Sequence, residues 1–138
     1  MKPDVSLDYQ FTSSIEQVWN ALTDSDMLAQ WIWKNDFKPV VGHTFQFRAK
    51  PNEWWDGIVN CEVLAVNEPH TLSYTWESAG ESTTVTWTLT KGENGTVHLH
   101  FDQSGFSEAT KAREGAIEGA KYAWTNMSNE LKKVLAAL

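Results

Sequence analysis

SEATKAREGAIEGAKYAWTNMSNELKKVLAAL, residues 107–138, carries the longest helical pattern in the chain. Ser107 can cap a helix start, and Glu108 falls in the first turn, where the helix dipole favours a negative charge. No proline follows. Ala112, Ala116, Ala120, Ala123, Met127, Leu131, Val134 and Leu138 recur at steps of three or four, which is one stripe of a helix. The spacing predicts a single continuous helix, ~45 Å long at about 1.5 Å per residue, enough to lie across a small domain. Its first half presents alanines with Gly115 and Gly119, and its second half presents Trp124, Met127, Leu131 and Leu135. A small-residue stripe either lets a sheet approach closely or leaves a space beneath the helix. That alternative is the functional question the chain poses.

At 138 residues the expectation is one domain, 1–138, burying roughly two thirds of its unfolded surface. Eight tryptophans are many for this length. A net charge of -7 disfavours wrapping by nucleic acid or rest on an anionic membrane. One cysteine, Cys61, allows no internal disulfide, which fits a reducing compartment. No apolar run is long enough to span a membrane, and no basic-then-apolar leader opens the chain, so a soluble cytoplasmic protein is expected.

Upstream, Val5, Leu7, Tyr9 and Phe11 alternate with polar residues, as in a half-buried strand. Ser13 with Glu16 reads as a capping box opening a helix whose apolar face is Ile15, Val18, Trp19 and Leu22. Asp24 or Ser25 can cap a second short helix bearing Met27, Leu28 and Trp31, and residues 34–39 read as a loop. From Gly42 the period becomes two. Phe45 and Phe47, then residues 58–66, then Leu72, Tyr74 and Trp76, then Val85, Trp87 and Leu89, then Val97, Leu99 and Phe101 mark five strands in hairpin succession. One face of such a sheet is solvated, and the terminal helix is the element long enough to cover the other.

This order resembles the helix-grip fold of the lipid-transfer START domains and the birch-pollen-allergen proteins. More closely it resembles the SRPBCC-superfamily branch named for an activator of the ninety-kilodalton heat-shock chaperone's ATPase. The carrying residues are the run from Ile15 to Thr23, Trp31, Val41-Gly42, Gly57 and the run from Val63 to Val66. The run from Pro69 to Trp76, then Thr83 to Leu89, Gly105-Phe106 and Trp124 complete them. The resemblance implies an α+β fold: a curved six-stranded antiparallel sheet wrapped around a long C-terminal helix, with two short helices after the first strand. It also implies a cavity between sheet and helix that takes a small apolar molecule. It implies no agreed catalytic residues, and stand-alone members resemble ligand-binding or stress-associated proteins.

Trp31, Phe45, Phe47, Tyr74, Trp76, Trp87, Phe101 and Trp124 fall on the sheet-helix side, with Ala116 and Ala120 on the helix above. As a set they either line a pocket or fill the core. Some residual cavity is expected for the set, and the volume and polarity of any space between Tyr74, Trp87 and Trp124 are the deciding observation. Trp54 and Trp55 sit at a predicted hairpin tip, where they gate a pocket, dock a partner or fold back, and Trp33 joins them at the rim. His98, His100 and Asp102 share one strand face, spaced ~7 Å, but oppose Val97, Leu99 and Phe101 and so face water; a metal there needs a further ligand, and none is assigned. Gly115 and Gly119 read as a close-packing pair, and Cys61 as a small buried hydrophobe. Ser104-Gly105 is not a nucleophile elbow, acidic side chains such as Glu53, Asp56 and Glu77 lie near predicted turns and read as surface, and no cofactor is expected.

The first reading is a non-enzymatic binding protein for a small apolar or amphipathic molecule. The second is a chaperone co-factor or protein-interaction module using the Trp54-Trp55 edge. The third is a cyclase or hydrolase on the same fold, which would need a buried carboxylate or histidine of shifted pKa in the cavity.

Overall fold

The computed structural model describes residues 3–53 and 55–138. Along them the apolar alternation becomes β1 (Val5–Phe11), β2 (Lys34–Asn35), β3 (Thr44–Arg48), β4 (Ile58–Asn67), β5 (Thr71–Ser78), β6 (Glu81–Lys91) and β7 (Val97–Ser104). Helices α1 (Ile15–Thr23) and α2 (Ser25–Trp31) follow the first strand, and α3 (Glu108–Ala112) and α4 (Ala116–Ala136) close the chain. The strands form one curved antiparallel sheet in the order β1-β7-β6-β5-β4-β3-β2, so the α+β helix-grip architecture holds.

Among the described residues the sheet has seven strands, not six. Lys34 and Asn35, expected as loop, pair with Arg48 and Phe47. Asn35 is fixed there because the Ser25 hydroxyl lies 3.0 Å from its carbonyl and 2.9 Å from its side-chain oxygen. The first helix starts one residue later than expected. Ser14, not Ser13, is the cap, and it exchanges hydrogen bonds with Gln17 rather than Glu16. Asp24 caps α2, accepting from the N–H groups of Asp26 and Met27. The β5–β6 hairpin turns on Ala79 and Gly80, both at positive φ (53° and 82°), the twist that suits a two-residue antiparallel connection.

The terminal helix is broken, which corrects the expectation of one rod. Ser107 caps α3, accepting from Thr110 N–H, but Arg113 turns extended and Gly115 takes φ 81°, a left-handed backbone that glycine adopts without a Cβ clash. The chain then restarts as 21 residues of α4, ~32 Å at about 1.5 Å per residue. Its buried stripe is Trp124, Ser128, Leu131 and Leu135, rotated from the expected alanine line; Ala112, Ala123 and Leu138 are exposed. Gly115 and Gly119 are exposed as well, with no atom within 4 Å of where a Cβ would stand, so they make no close helix contact.

Beneath the second half of α4 the interior is solid. Val5, Phe47, Val63, Leu72, Tyr74, Val85, Trp87, Leu99 and Phe101 are all buried on the inner face of the sheet. Trp124 of α4 packs on Phe101 (4.4 Å between ring centres), Trp76 (4.8 Å) and Trp87 (5.7 Å). Burying aromatics of ~150–250 Å² each supplies much of the hydrophobic drive. The space between Tyr74, Trp87 and Trp124 is closed by their own rings: the Trp87 indole donates to the Tyr74 hydroxyl at 3.0 Å and lies 5.7 Å from the Trp124 ring.

Candidate functional site

Space opens where large side chains run out. The first two turns of α4 bring Ala116 and Ala120 over the sheet, and alanine reaches too little volume to touch it. A cleft of about 330 Å³ lies there, walled by Trp33, Trp55, Trp76 and Trp124, with Thr83 and Gln103 on its sheet side and Arg113 among its wall residues.

The walls are held by hydrogen bonds to polar residues that line the same cleft. Trp124 donates its indole N–H to Gln103 Oε1 at 2.9 Å. Gln103 Nε2 donates to Thr83 Oγ1 at 2.9 Å, and the Thr83 hydroxyl donates to the Trp76 carbonyl at 3.0 Å. Gln103, Thr83 and Trp124 are buried, so this relay satisfies groups that would otherwise cost folding energy. Trp55 folds back from its turn, donating to Ser78 Oγ at 2.9 Å, with its ring 5.5 Å from that of Trp33. Trp33 in turn lies 6.2 Å from Trp76. These contacts make Trp33, Trp55 and Trp76 a continuous aromatic wall.

At the α3 end, Glu81 is half-buried and accepts from the Thr110 hydroxyl, the Ser107 hydroxyl (2.8 Å) and the Ser107 N–H (3.1 Å). Those hydrogen bonds, led by Thr110, hold its carboxyl below the usual carboxylate range, with the Arg113 charge adding to them. The cleft's carboxylate is therefore ionised and engaged, the reverse of the raised pKa a general acid needs. Among the described residues no histidine lines the cleft.

The expected lining residues divide between core and cleft. Trp76, Ala116, Ala120 and Trp124 line the space, and Trp33 and Trp55 stand with them. Trp31, Phe45, Phe47, Tyr74, Trp87 and Phe101 are buried outside it. Trp31 is committed to the helices, donating to the Ala21 carbonyl at 2.8 Å, and Phe45, Phe47 and Tyr74 pack on one another at 5.4–6.3 Å. Trp54 lies outside the described residues. Thr83, Gln103 and Arg113 join the site without having been expected there. Gln103 continues the Val97, Leu99, Phe101 alternation, which was the available signal for an inward polar group. Cys61 is buried, and desolvation pushes its thiol pKa up. A larger hollow, about 470 Å³, lies between β3, β4 and β5 on the other side, but its wall is mainly polar: Thr44, Gln46, Asn60, Glu62, Thr75 and Glu77. No helix among the described residues is long and apolar enough to cross a membrane.

The chain resembles several solved structures over nearly its whole length. A protein of Mesorhizobium loti, MLL2253, is 39% identical with a TM-score of 0.85, covering 96% of this chain and 96% of that one. Bacillus halodurans protein BH1534 is 28% identical with a TM-score of 0.75, covering 98% and 99%. PFC0360w, an HSP90 activator from Plasmodium falciparum, shares the fold at 18% identity and a TM-score of 0.77, covering 96% and 95%. A search of curated proteins finds no match. The family described as Activator of Hsp90 ATPase homolog 1-like protein matches residues 12–136. With that match spanning nearly all of the strands and helices that form the grip and the cleft, the chain belongs to the Activator of Hsp90 ATPase homolog 1-like family.

Proposed function

We propose that this chain is a single helix-grip domain that works in the cytoplasm as a non-enzymatic binding protein, holding a small apolar or amphipathic molecule in the cleft under α4. One observation carries the reading: the cleft is walled by Trp33, Trp55, Trp76 and Trp124, while the buried polar groups beside it are already hydrogen-bonded to one another. A guest therefore meets mostly apolar surface and displaces no protein hydrogen bond. The volume, about 330 Å³, lies at the small end of the ~300–1,000 Å³ typical of ligand sites. Arg113 gives an amphipathic guest's anionic group a cation to face.

The test uses anilinonaphthalene sulfonate, an aromatic probe with one anionic group. It should bind saturably, quench tryptophan emission and raise the melting temperature. Ala120→Phe, which fills the cleft from the helix, should abolish binding while leaving the protein folded. Unchanged binding in Ala120→Phe would place the probe elsewhere and remove the reading.

A second reading, a chaperone co-factor, is favoured by a different surface. Val40, Val41 and Leu64 are exposed, and the Gly42 N–H donates to the Val63 carbonyl, which sets the valine turn beside β4. If this surface docks a ninety-kilodalton chaperone, the purified chain accelerates that chaperone's ATPase and Val40→Ser with Val41→Ser removes the acceleration. No acceleration by the native chain would end this reading.

A further inference from the structure

On the sheet face turned away from the cleft, side chains from two neighbouring strands converge. Asp8 of β1 lies opposite His100 of β7, and His98 lies two residues along the same strand face. Asp8 Oδ1 is 2.7 Å from His98 Nε2 and 2.7 Å from His100 Nδ1. One ligand atom from each of the three residues falls within 4.8 Å of the others. The remaining ring nitrogen of His100, Nε2, is 2.9 Å from Asp102 Oδ1.

We propose that Asp8, His98 and His100 form a surface site for one divalent transition-metal cation, with Zn²⁺ the best fit. Two imidazoles and one carboxylate are a common ligand set for Zn²⁺, and three protein ligands leave a coordination position for water or another molecule. His98 and His100 already meet the spacing condition through the strand period, and Asp8 supplies the further ligand that their strand alone lacks. Asp102 adds what an isolated His-His-Asp cluster would miss. With Asp102 accepting the Nε2–H of His100, a metal ion displaces the proton that Nδ1 shares with Asp8, and a carboxylate behind the far ring nitrogen is the usual support of a metal-bound histidine.

With bonds of about 2.0–2.1 Å, tetrahedral Zn²⁺ holds its ligand atoms ~3.3 Å apart, so each 2.7 Å contact to Asp8 opens by ~0.6 Å while the two imidazole nitrogens, within 4.8 Å of each other, settle to the same separation. The side chains are partly exposed, so torsional changes are open to them and an ion enters from solvent. The backbone beneath is firm, because β1 pairs with β7 from Val5 to Phe11. The site faces away from the cleft and stands or falls independently of ligand binding there.

The experiment is calorimetric titration of the whole chain with zinc chloride in a non-coordinating buffer. One ion per chain is expected. His98→Gln and His100→Gln should each weaken binding at least ~10-fold, and Asp102→Asn about 10-fold without changing the metal-free melting temperature. His43→Gln with His70→Gln should bind as the native chain does. Co²⁺ in the same site should give visible absorption bands that His100→Gln loses. Absence of one-to-one Zn²⁺ binding overturns the proposal. So does a His98→Gln, His100→Gln double variant that binds as tightly as the native chain. If the histidine variants only lower the metal-free melting temperature, the cluster is a hydrogen-bonded clasp between β1 and β7 and the proposal fails.

Discussion

Trp124 on α4 and Gln103 on β7 are joined by one buried hydrogen bond, Nε1–H to Oε1 at 2.9 Å, at the place where solid core gives way to the cleft. On one side of that bond Trp124 packs on Phe101 and Trp87; on the other it forms part of the cleft wall with Trp76. The bond ties α4 to the sheet at the place where Ala116, Ala120 and Ala123 overlie the space, with Met127 further along the same wall.

Gln103→Leu should therefore destabilise the fold by about 1–3 kcal/mol, because the Trp124 N–H and the Thr83 hydroxyl lose a buried partner. Trp124→Phe removes the donor and some packing. The double variant should cost less than the two single losses added, with a coupling of ~0.5–3 kcal/mol. Urea denaturation of the four proteins measures it, and strict additivity would show the bond is not shaping the core.

Gly115 and Gly119 should respond oppositely to alanine. Gly119 is an exposed helix-interior residue with open space around it, so Gly119→Ala should stabilise by roughly 0.5–1 kcal/mol. Gly115 sits at φ 81°, where alanine is strained, so Gly115→Ala should destabilise by ~1 kcal/mol. Thermal melts of both variants check the pair. Stabilisation by Gly115→Ala would mean that α3 and α4 join into one helix.

Cys61 should be silent towards thiol reagents in the folded protein. It is buried, and desolvation raises its pKa, so the reactive thiolate is scarce at neutral pH. Ellman's reagent should label one thiol per chain in denaturant and almost none in buffer. Fast labelling in buffer would mean β4 opens readily.

These positions also show how far the residues could be read without coordinates. The five longer strands after the short helices were legible because one face is wet and the period of two survives in the chain order. β2 was not, because the two residues Lys34 and Asn35 carry no period and owe their pairing to Ser25. The break at Gly115 was hidden because the alanine spacing continues across it at Ala112, Ala116 and Ala120. The aromatic set was recognised as inward-facing, but its division between core and cleft depends on which half of α4 lies above each ring. The Asp8–His98–His100 convergence needs the β1–β7 register, a pairing of residues about ninety apart that no local pattern encodes.

Glu81 should make the cleft's α3 end acid-sensitive. Its carboxylate accepts from Thr110 and from Ser107, and these bonds lower its pKa in the folded chain. A carboxyl with a folded pKa below its unfolded value adds stability above the unfolded pKa, ~4.3 for glutamate, and loses it as pH falls through the lower folded value. The Ser107 N–H and Thr110 hydroxyl should thus lose a charged acceptor as pH falls through that lowered value. Amide exchange at Ser107 should accelerate over that range ahead of exchange in β6 and β7. Glu81→Gln removes the charge, so its stability should fall less steeply with acid than that of the native chain. An identical acid slope in the two proteins would mean the α3 cap carries no linkage to this carboxyl, and that this end of the cleft is held by other contacts, such as the Gly105 and Phe106 N–H groups donating to Asp4.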